Sequence, residues 1–301
     1  MLRQFKWALA VFAACCAATA VAALTWPPLG AMGRSFWDHS ELLASALAPG
    51  PNPVFFVGAS NIGDLAVDDV QSFHALPHRD VHNLTRGAMR VPEMEGLAAY
   101  LAEQIAPAAR QRAVVIVGLW YGTFVTVRPG ADTDRDWHVS MLPFHAGRAV
   151  LNAGRTIVLS NLKHAVYTAM PPKRERSRPP EPARLLPEQA LAKFAAAYEK
   201  VDPDSLEHFA AMVSGLRRAH MRVLLVDMPL PRWHAEASPL AAEYARLKAP
   251  MLERLKADPG VAYLDLTSHS DPADFRDATH PQPATLIEWA DAIGAAVAAL
   301  P

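Results

Sequence analysis

Val54-Phe-Phe-Val-Gly-Ala-Ser60-Asn61 is the stretch on which the fold turns. Four consecutive apolar residues with β preference mark a strand buried on both faces, because a half-exposed strand would alternate with polar residues. Gly58 breaks the run and a serine stands at its end. Similar runs recur outward from this stretch. Val81-His-Asn-Leu84 is a weaker one, Ala113-Val-Val-Ile-Val117 before Gly118 is the strongest, and Arg222-Val-Leu-Leu-Val-Asp227 and Val261-Ala-Tyr-Leu-Asp265 follow. Helical patterns separate them. Met94, Leu97, Leu101 and Ile105 fall at helical spacing between Pro92 and Ile105, and further helices are predicted over 187–201, 205–220, 240–257 and 284–300.

Strand and helix alternating in this way predict a parallel sheet covered on both faces. The expected architecture is an α/β, flavodoxin-like three-layer sandwich with a five-stranded parallel sheet in the order 2-1-3-4-5. Ligands of such sheets lie beyond the carboxyl ends of the strands, at the switch between strands 1 and 3. Ser60 follows the first strand and Gly118 is read as ending the third, so Ser60 falls where a site is expected.

The chain has 301 residues, half of them apolar, and a formal net charge of −1. It can bury a sizeable core, and nothing in its charge suits a polyanion, so no nucleic-acid partner is expected. Arg3 and Lys6 precede an uncharged run from Trp7 to Leu24. In a helix this run covers roughly 27 Å, close to the hydrocarbon thickness of a bilayer. Residues 1–24 are therefore expected to be an inner-membrane anchor or a signal peptide. The positive residues would stay inside and the rest of the chain would reach the periplasm, or be secreted if the signal is cleaved. Ala20-Val-Ala22 resembles a cleavage site, and a lipoprotein site at Cys15 is a third alternative. Both cysteines, Cys15 and Cys16, lie in this segment, which leaves the exported domain without disulfides or thiolate chemistry.

Residues 25–52, with Pro27, Pro28, Pro49 and Pro51, read as a tether, and 53–301 as the main domain. Within it, residues 123–184 break the alternation and read as an insertion. Its basic, proline-flanked end, Pro171 to Pro180, has the composition of an exposed loop. His74, His78 and His82 recur every four residues, but Pro77 interrupts any helix there. They read as scattered surface histidines, and no metal or cofactor is expected.

Asp277-Ala-Thr-His280 lies just before the last predicted helix. A serine hydroxyl is a poor nucleophile until a base takes its proton, and the base works best when a third group orients it. Ser60, His280 and Asp277 supply those three residue types if the fold brings the chain ends together. The bland alternative makes Ser60 and Asp277 helix caps.

These segments resemble the short blocks of the SGNH/GDSL hydrolase superfamily. Gly58-Ala-Ser60-Asn61 is similar to its first block, Asn83-Leu-Thr-Arg-Gly87 to its second, Gly118-Leu-Trp-Tyr121 to its third and Asp277-Ala-Thr-His280 to its fifth. The resemblance implies acyl transfer on Ser60, with His280 as base, Asp277 as its partner, and the backbone N–H groups of Ser60 and Gly87 as an oxyanion hole. It extends loosely to membrane-anchored polysaccharide O-acetyltransferases and D-alanyl transfer proteins. It implies an ester hydrolase or O-acyltransferase acting on an acylated glycan or another ester. The third block of the family carries an asparagine donor where this chain has Trp120. Asn61 or Asn83 could stand in for it. Trp120 and Tyr121 are candidates to stack on a sugar ring, and all four are possible substrate-binding residues. The rival expectation is a binding or assembly protein of an envelope polysaccharide system that keeps the fold and has lost the chemistry.

Overall fold

The computed structural model describes residues 52–63, 65, 79–85, 87–129 and 186–300. The expected membrane segment and tether, His74, His78 and most of the insertion lie outside the described residues. Among the described residues no helix is long and apolar enough to cross a membrane, and no group of side chains suits a metal ion.

In chain order the elements are β1 (Asn52–Val57), α1 (Ser60–Gly63), β2 (Arg79–Asn83), α2 (Val91–Gln104), α3 (Pro107–Arg110), β3 (Val114–Leu119), β4 (Val125–Val127), α4 (Pro187–Ala197), β5 (Tyr198–Val201), α5 (Pro203–Arg218), β6 (Arg222–Asp227), α6 (Arg232–Ala237), α7 (Pro239–Lys256), β7 (Val261–Asp265) and α8 (Pro283–Ala299). Five strands form one sheet in the order β2-β1-β3-β6-β7, and every pair in it is parallel. Counted within the sheet alone, this is the expected 2-1-3-4-5. The strands are apolar along their length because both faces are covered; Val54 to Phe56 and Val114 to Val117 are fully buried. One layer of helices runs α2 on α5 and α5 on α7, while α8 rests on β6 and β7. The arrangement is that of a flavodoxin-like sandwich.

Prolines set many of the helix starts. α4, α5, α7 and α8 each begin on one, where the missing N–H costs nothing and the fixed φ is already helical. The side chains of Asp202 and Ser238 accept backbone N–H groups at the starts of α5 and α7.

Two expectations are corrected. Gly118 does not end its strand; β3 runs through it to Leu119, and Gly118 is paired with Val226. The helix predicted over 187–201 stops at Ala197, and Tyr198–Val201 form β5, antiparallel to β4. Arg128 N–H donates to Ala197 O at 2.9 Å and Asp202 N–H to Phe124 O at 2.7 Å, extending this stem. A strand of four residues exists only through its partner, which local periodicity does not reveal.

Candidate active site

Gly58 sets the geometry after β1. Its φ of +146° is a conformation that L-residues avoid, and a Cβ there would lie 2.7 Å from Ile62 Cγ2. A Cβ on Gly118 would likewise lie 2.6 Å from Ile62. Two glycines, one just after β1 and one within β3, thus leave room for Ile62, fully buried, to seat the short α1 on the sheet. Ser60 is carried at the start of α1, at the carboxyl edge of the sheet.

The opposite half of the site comes from the loop between β7 and α8. Phe275 is fully buried and packs edge-on against Trp289 of α8, with ring centroids 5.6 Å apart. Phe275 and Pro281 form an antiparallel bridge, and Arg276 N–H donates to His280 O at 2.9 Å. Within this closed loop Asp277 folds its side chain over the following backbone. Its Oδ1 accepts the N–H groups of Thr279 and His280, each at 2.9 Å. The same carboxylate meets His280 Nδ1 at 2.8 Å through Oδ2 and 2.9 Å through Oδ1. His280 Nε2 then lies 2.8 Å from Ser60 Oγ, across a sequence separation of 220 residues.

Electrostatics fix the proton positions. Burial by itself would raise the Asp277 pKa. The hydrogen bonds from the His280 ring and the Thr279 N–H, with the charge and N–H of His280, outweigh it and hold the carboxyl at about 2. An ionised Asp277 accepts only, so His280 Nδ1–H donates to it and Nε2 keeps its lone pair. Ser60 Oγ–H therefore donates to Nε2. This is the protonation pattern a serine nucleophile needs. Asp277 is also accessible, with 48% of its side chain exposed, against 23% for His280.

The remaining predicted residues divide sharply. Gly87 is exposed after β2, and a Cβ there would meet nothing within 4 Å. Among the described residues neither the Ser60 nor the Gly87 amide has a protein acceptor.

Asn83 is tied to its neighbours: Oδ1 accepts from the N–H and hydroxyl of Thr85 at 3.1 and 2.6 Å, and Nδ2 donates to Gly63 O at 3.1 Å. It fastens the Gly87 loop to the end of α1. Asn61 is buried, with Oδ1 accepting from Ile62 N–H at 3.0 Å and Nδ2 sealed from solvent. Its donor is closed off from solvent.

Trp120 is only 7% exposed. It packs in an aromatic cluster with Phe194 and Tyr198, with centroids at 6.2 and 6.4 Å. Its indole N–H has no partner among the described residues. Tyr121 is buried too, and its hydroxyl is committed to His234 Nε2 at 2.7 Å. The expectation that these two rings stack on a sugar is therefore not met by their placement: they form core, and the cluster they join is built on α4 and β5.

Sequence reasoning passed over His234. It follows β6 in the short helix α6, is fully buried, and its Nδ1 lies 2.8 Å from Ala278 O, inside the Asp277–His280 turn. The signal available was its place just after a strand's carboxyl end, at the edge that carries Ser60.

No family model matches the chain, and no curated protein does. Several solved structures resemble it in fold. A GDSL-like lipase from Bacteroides thetaiotaomicron is 11% identical, with a TM-score of 0.46 over 87% of this chain and 97% of that one. A carbohydrate esterase family 2 enzyme with a carbohydrate-binding domain, from Corynascus thermopiles (Myceliophthora fergusii), is 11% identical, with a TM-score of 0.45 over 84% and 68%. An acetylxylan esterase from Geobacillus stearothermophilus is 12% identical, with a TM-score of 0.40 over 83% and 95%. The chemistry of the site follows from the geometry of Ser60, His280 and Asp277 and not from these likenesses.

Proposed function

We propose that the protein is a serine esterase or O-acyltransferase of the SGNH/GDSL type that works through an acyl-enzyme on Ser60. One observation carries this reading: Ser60 Oγ, His280 Nε2, His280 Nδ1 and Asp277 form a continuous hydrogen-bonded line at 2.8 Å per step. Ser60 Oγ attacks the ester carbonyl while His280 Nε2 takes its proton. The resulting imidazolium is stabilised by the ionised Asp277. Negative charge on the carbonyl oxygen is met by the amides of Ser60 and Gly87. Collapse expels the alcohol, which receives the proton from Nε2. Water or an acceptor hydroxyl, deprotonated by the same nitrogen, then attacks the acyl carbonyl, the bond to Oγ breaks, and Nε2 returns the proton to Ser60 as the acyl product leaves.

The substrate class follows from location. If residues 1–24 hold the domain on the outer side of the inner membrane, the esters it meets are those of envelope or secreted polysaccharide, acetyl esters above all. Tethering and substrate are expectations of the sequence. Lipid esters would be favoured instead by activity that rises with acyl-chain length.

The rival reading, a binding or assembly protein on the same fold, is favoured by one feature. Trp120 fills the position of the family's asparagine donor and is packed away in the aromatic cluster. An oxyanion hole of two amides is weaker by one donor, worth about 10²–10³ in kcat. Turnover of p-nitrophenyl acetate and labelling by a fluorophosphonate separate the two. Labelling that disappears in Ser60→Ala supports the enzyme, and a wild type that neither turns over nor labels supports the binding role.

A further inference from the structure

We propose that His234 is a positioning residue for the catalytic pair, holding the peptide plane between Ala278 and Thr279 so that Asp277 is presented correctly to His280. The proposal rests on the assignment of Ser60, His280 and Asp277 above.

The argument starts from one peptide unit. Its carbonyl, Ala278 O, accepts a hydrogen bond from His234 Nδ1 at 2.8 Å. Its N–H, on Thr279, donates to Asp277 Oδ1 at 2.9 Å. A peptide unit is planar and rigid, so fixing its carbonyl end fixes the direction of its N–H. His234 therefore acts at one end of the plane on which the Asp277 carboxylate depends at the other. That carboxylate in turn orients the ring that faces Ser60. The bond comes from a different element, α6 after β6, and ties the turn to the body of the sheet.

His234 is itself held on every side. It is fully buried. Trp233 stacks on it at 5.5 Å, Phe194 lies at 4.9 Å, and Tyr121 meets it edge-on at 5.6 Å. Burial keeps the Tyr121 hydroxyl protonated and disfavours the charged form of His234. Ala278 O can only accept, so the ring proton sits on Nδ1, and Nε2 of the neutral ring accepts from Tyr121 O–H at 2.7 Å. Tyr121, in the third sequence block, gains a role it could not have as a sugar platform: it holds the ring of the histidine that anchors the fifth block.

The test uses the full-length protein and three variants. His234→Leu removes the donor at similar bulk. His234→Asn restores an N–H near the Nδ1 position. Tyr121→Phe removes the hydroxyl that holds Nε2. Two readouts are taken: kcat and KM on p-nitrophenyl acetate, and the NMR signal of the His280 Nδ1–H proton, assigned by its loss in His280→Gln. Expected for His234→Leu is a fall in kcat of about 10- to 100-fold with KM little changed, together with broadening or loss of the proton signal. His234→Asn should recover most of both at the same melting temperature. Tyr121→Phe should show the same changes in weaker form, and it decides the matter if His234→Leu does not fold. An unchanged His280 signal in His234→Leu or in Tyr121→Phe, or Asn and Leu variants equally impaired, overturns the proposal. The NMR readout needs no turnover. A wild type without turnover whose signal still depends on His234 retires the esterase reading and keeps the coupling.

Discussion

Replacing Asp277 by asparagine separates the charge of the catalytic carboxylate from its architecture. In the structure Oδ1 accepts two backbone N–H groups at 2.9 Å, and the carboxylate meets His280 Nδ1 at 2.8 and 2.9 Å. An asparagine can keep Oδ1 on the two backbone groups, so the turn survives. Its NH₂ then faces Nδ1, which must become an acceptor, and the ring proton moves to Nε2. That nitrogen can no longer take a proton from Ser60. The expected loss in kcat is about 10⁴, equivalent to roughly 5.5 kcal/mol of barrier.

The stability change should be small by comparison. A carboxyl held at about 2 instead of 3.8 corresponds to roughly 2.5 kcal/mol if taken at face value. With 48% of the side chain exposed, solvent screening reduces that to about 1 kcal/mol. The sign fixes the pH window. The folded-state pKa lies below the unfolded value, so this stabilisation is complete above about pH 4 and is lost as pH falls toward 2. Steady-state kinetics and urea denaturation of the two proteins between pH 2 and 7 give both quantities. An asparagine variant that keeps more than about a tenth of wild-type kcat would refute the assignment of Asp277. So would an acid-side stability slope identical in the two proteins.

Gly87→Pro removes an amide donor at a site with open space around it, so kcat should drop by about 10²–10³, whereas Gly87→Ala, which keeps the amide, should cost far less. Gly58→Ala forces a Cβ onto Ile62 at a φ of +146°; a loss of about 2–4 kcal/mol is expected in urea denaturation. Lys248→Met strands Asp227, whose carboxylate is buried at the end of β6 with Lys248 Nζ and the Tyr263 hydroxyl as partners. Burial raises the Asp227 pKa in spite of the Lys248 ion pair, and removal of the cation should cost about 3–5 kcal/mol, read from the same denaturation midpoints.

The sheet was legible in the sequence because parallel strands buried on both faces show as unbroken apolar runs, and Val54–Val57 and Ala113–Val117 are such runs. The Ser60, His280 and Asp277 constellation was legible because each residue sits next to an element end that the order of strands and helices brings to one edge. Other features depend on partners distant in sequence. Tyr198–Val201 continue a helical pattern and become β5 only because β4 lies alongside. The direction of Trp120 and Tyr121 is set by Phe194, Tyr198 and His234, all from segments beyond the insertion. Asn61 and Asn83 carry the right chemistry for an oxyanion donor, but Asn61 Nδ2 is buried from solvent and Asn83 Nδ2 donates to Gly63 O.

Peptide mapping of acid-quenched enzyme after brief exposure to an activated acetyl ester tests the covalent step most directly. Acetyl on Ser60 in the wild type, absent in Ser60→Ala and strongly reduced in His280→Gln, is the expected result. No acetyl on Ser60, or the same amount formed at the same rate without His280, would contradict an acyl-enzyme built on this serine and histidine.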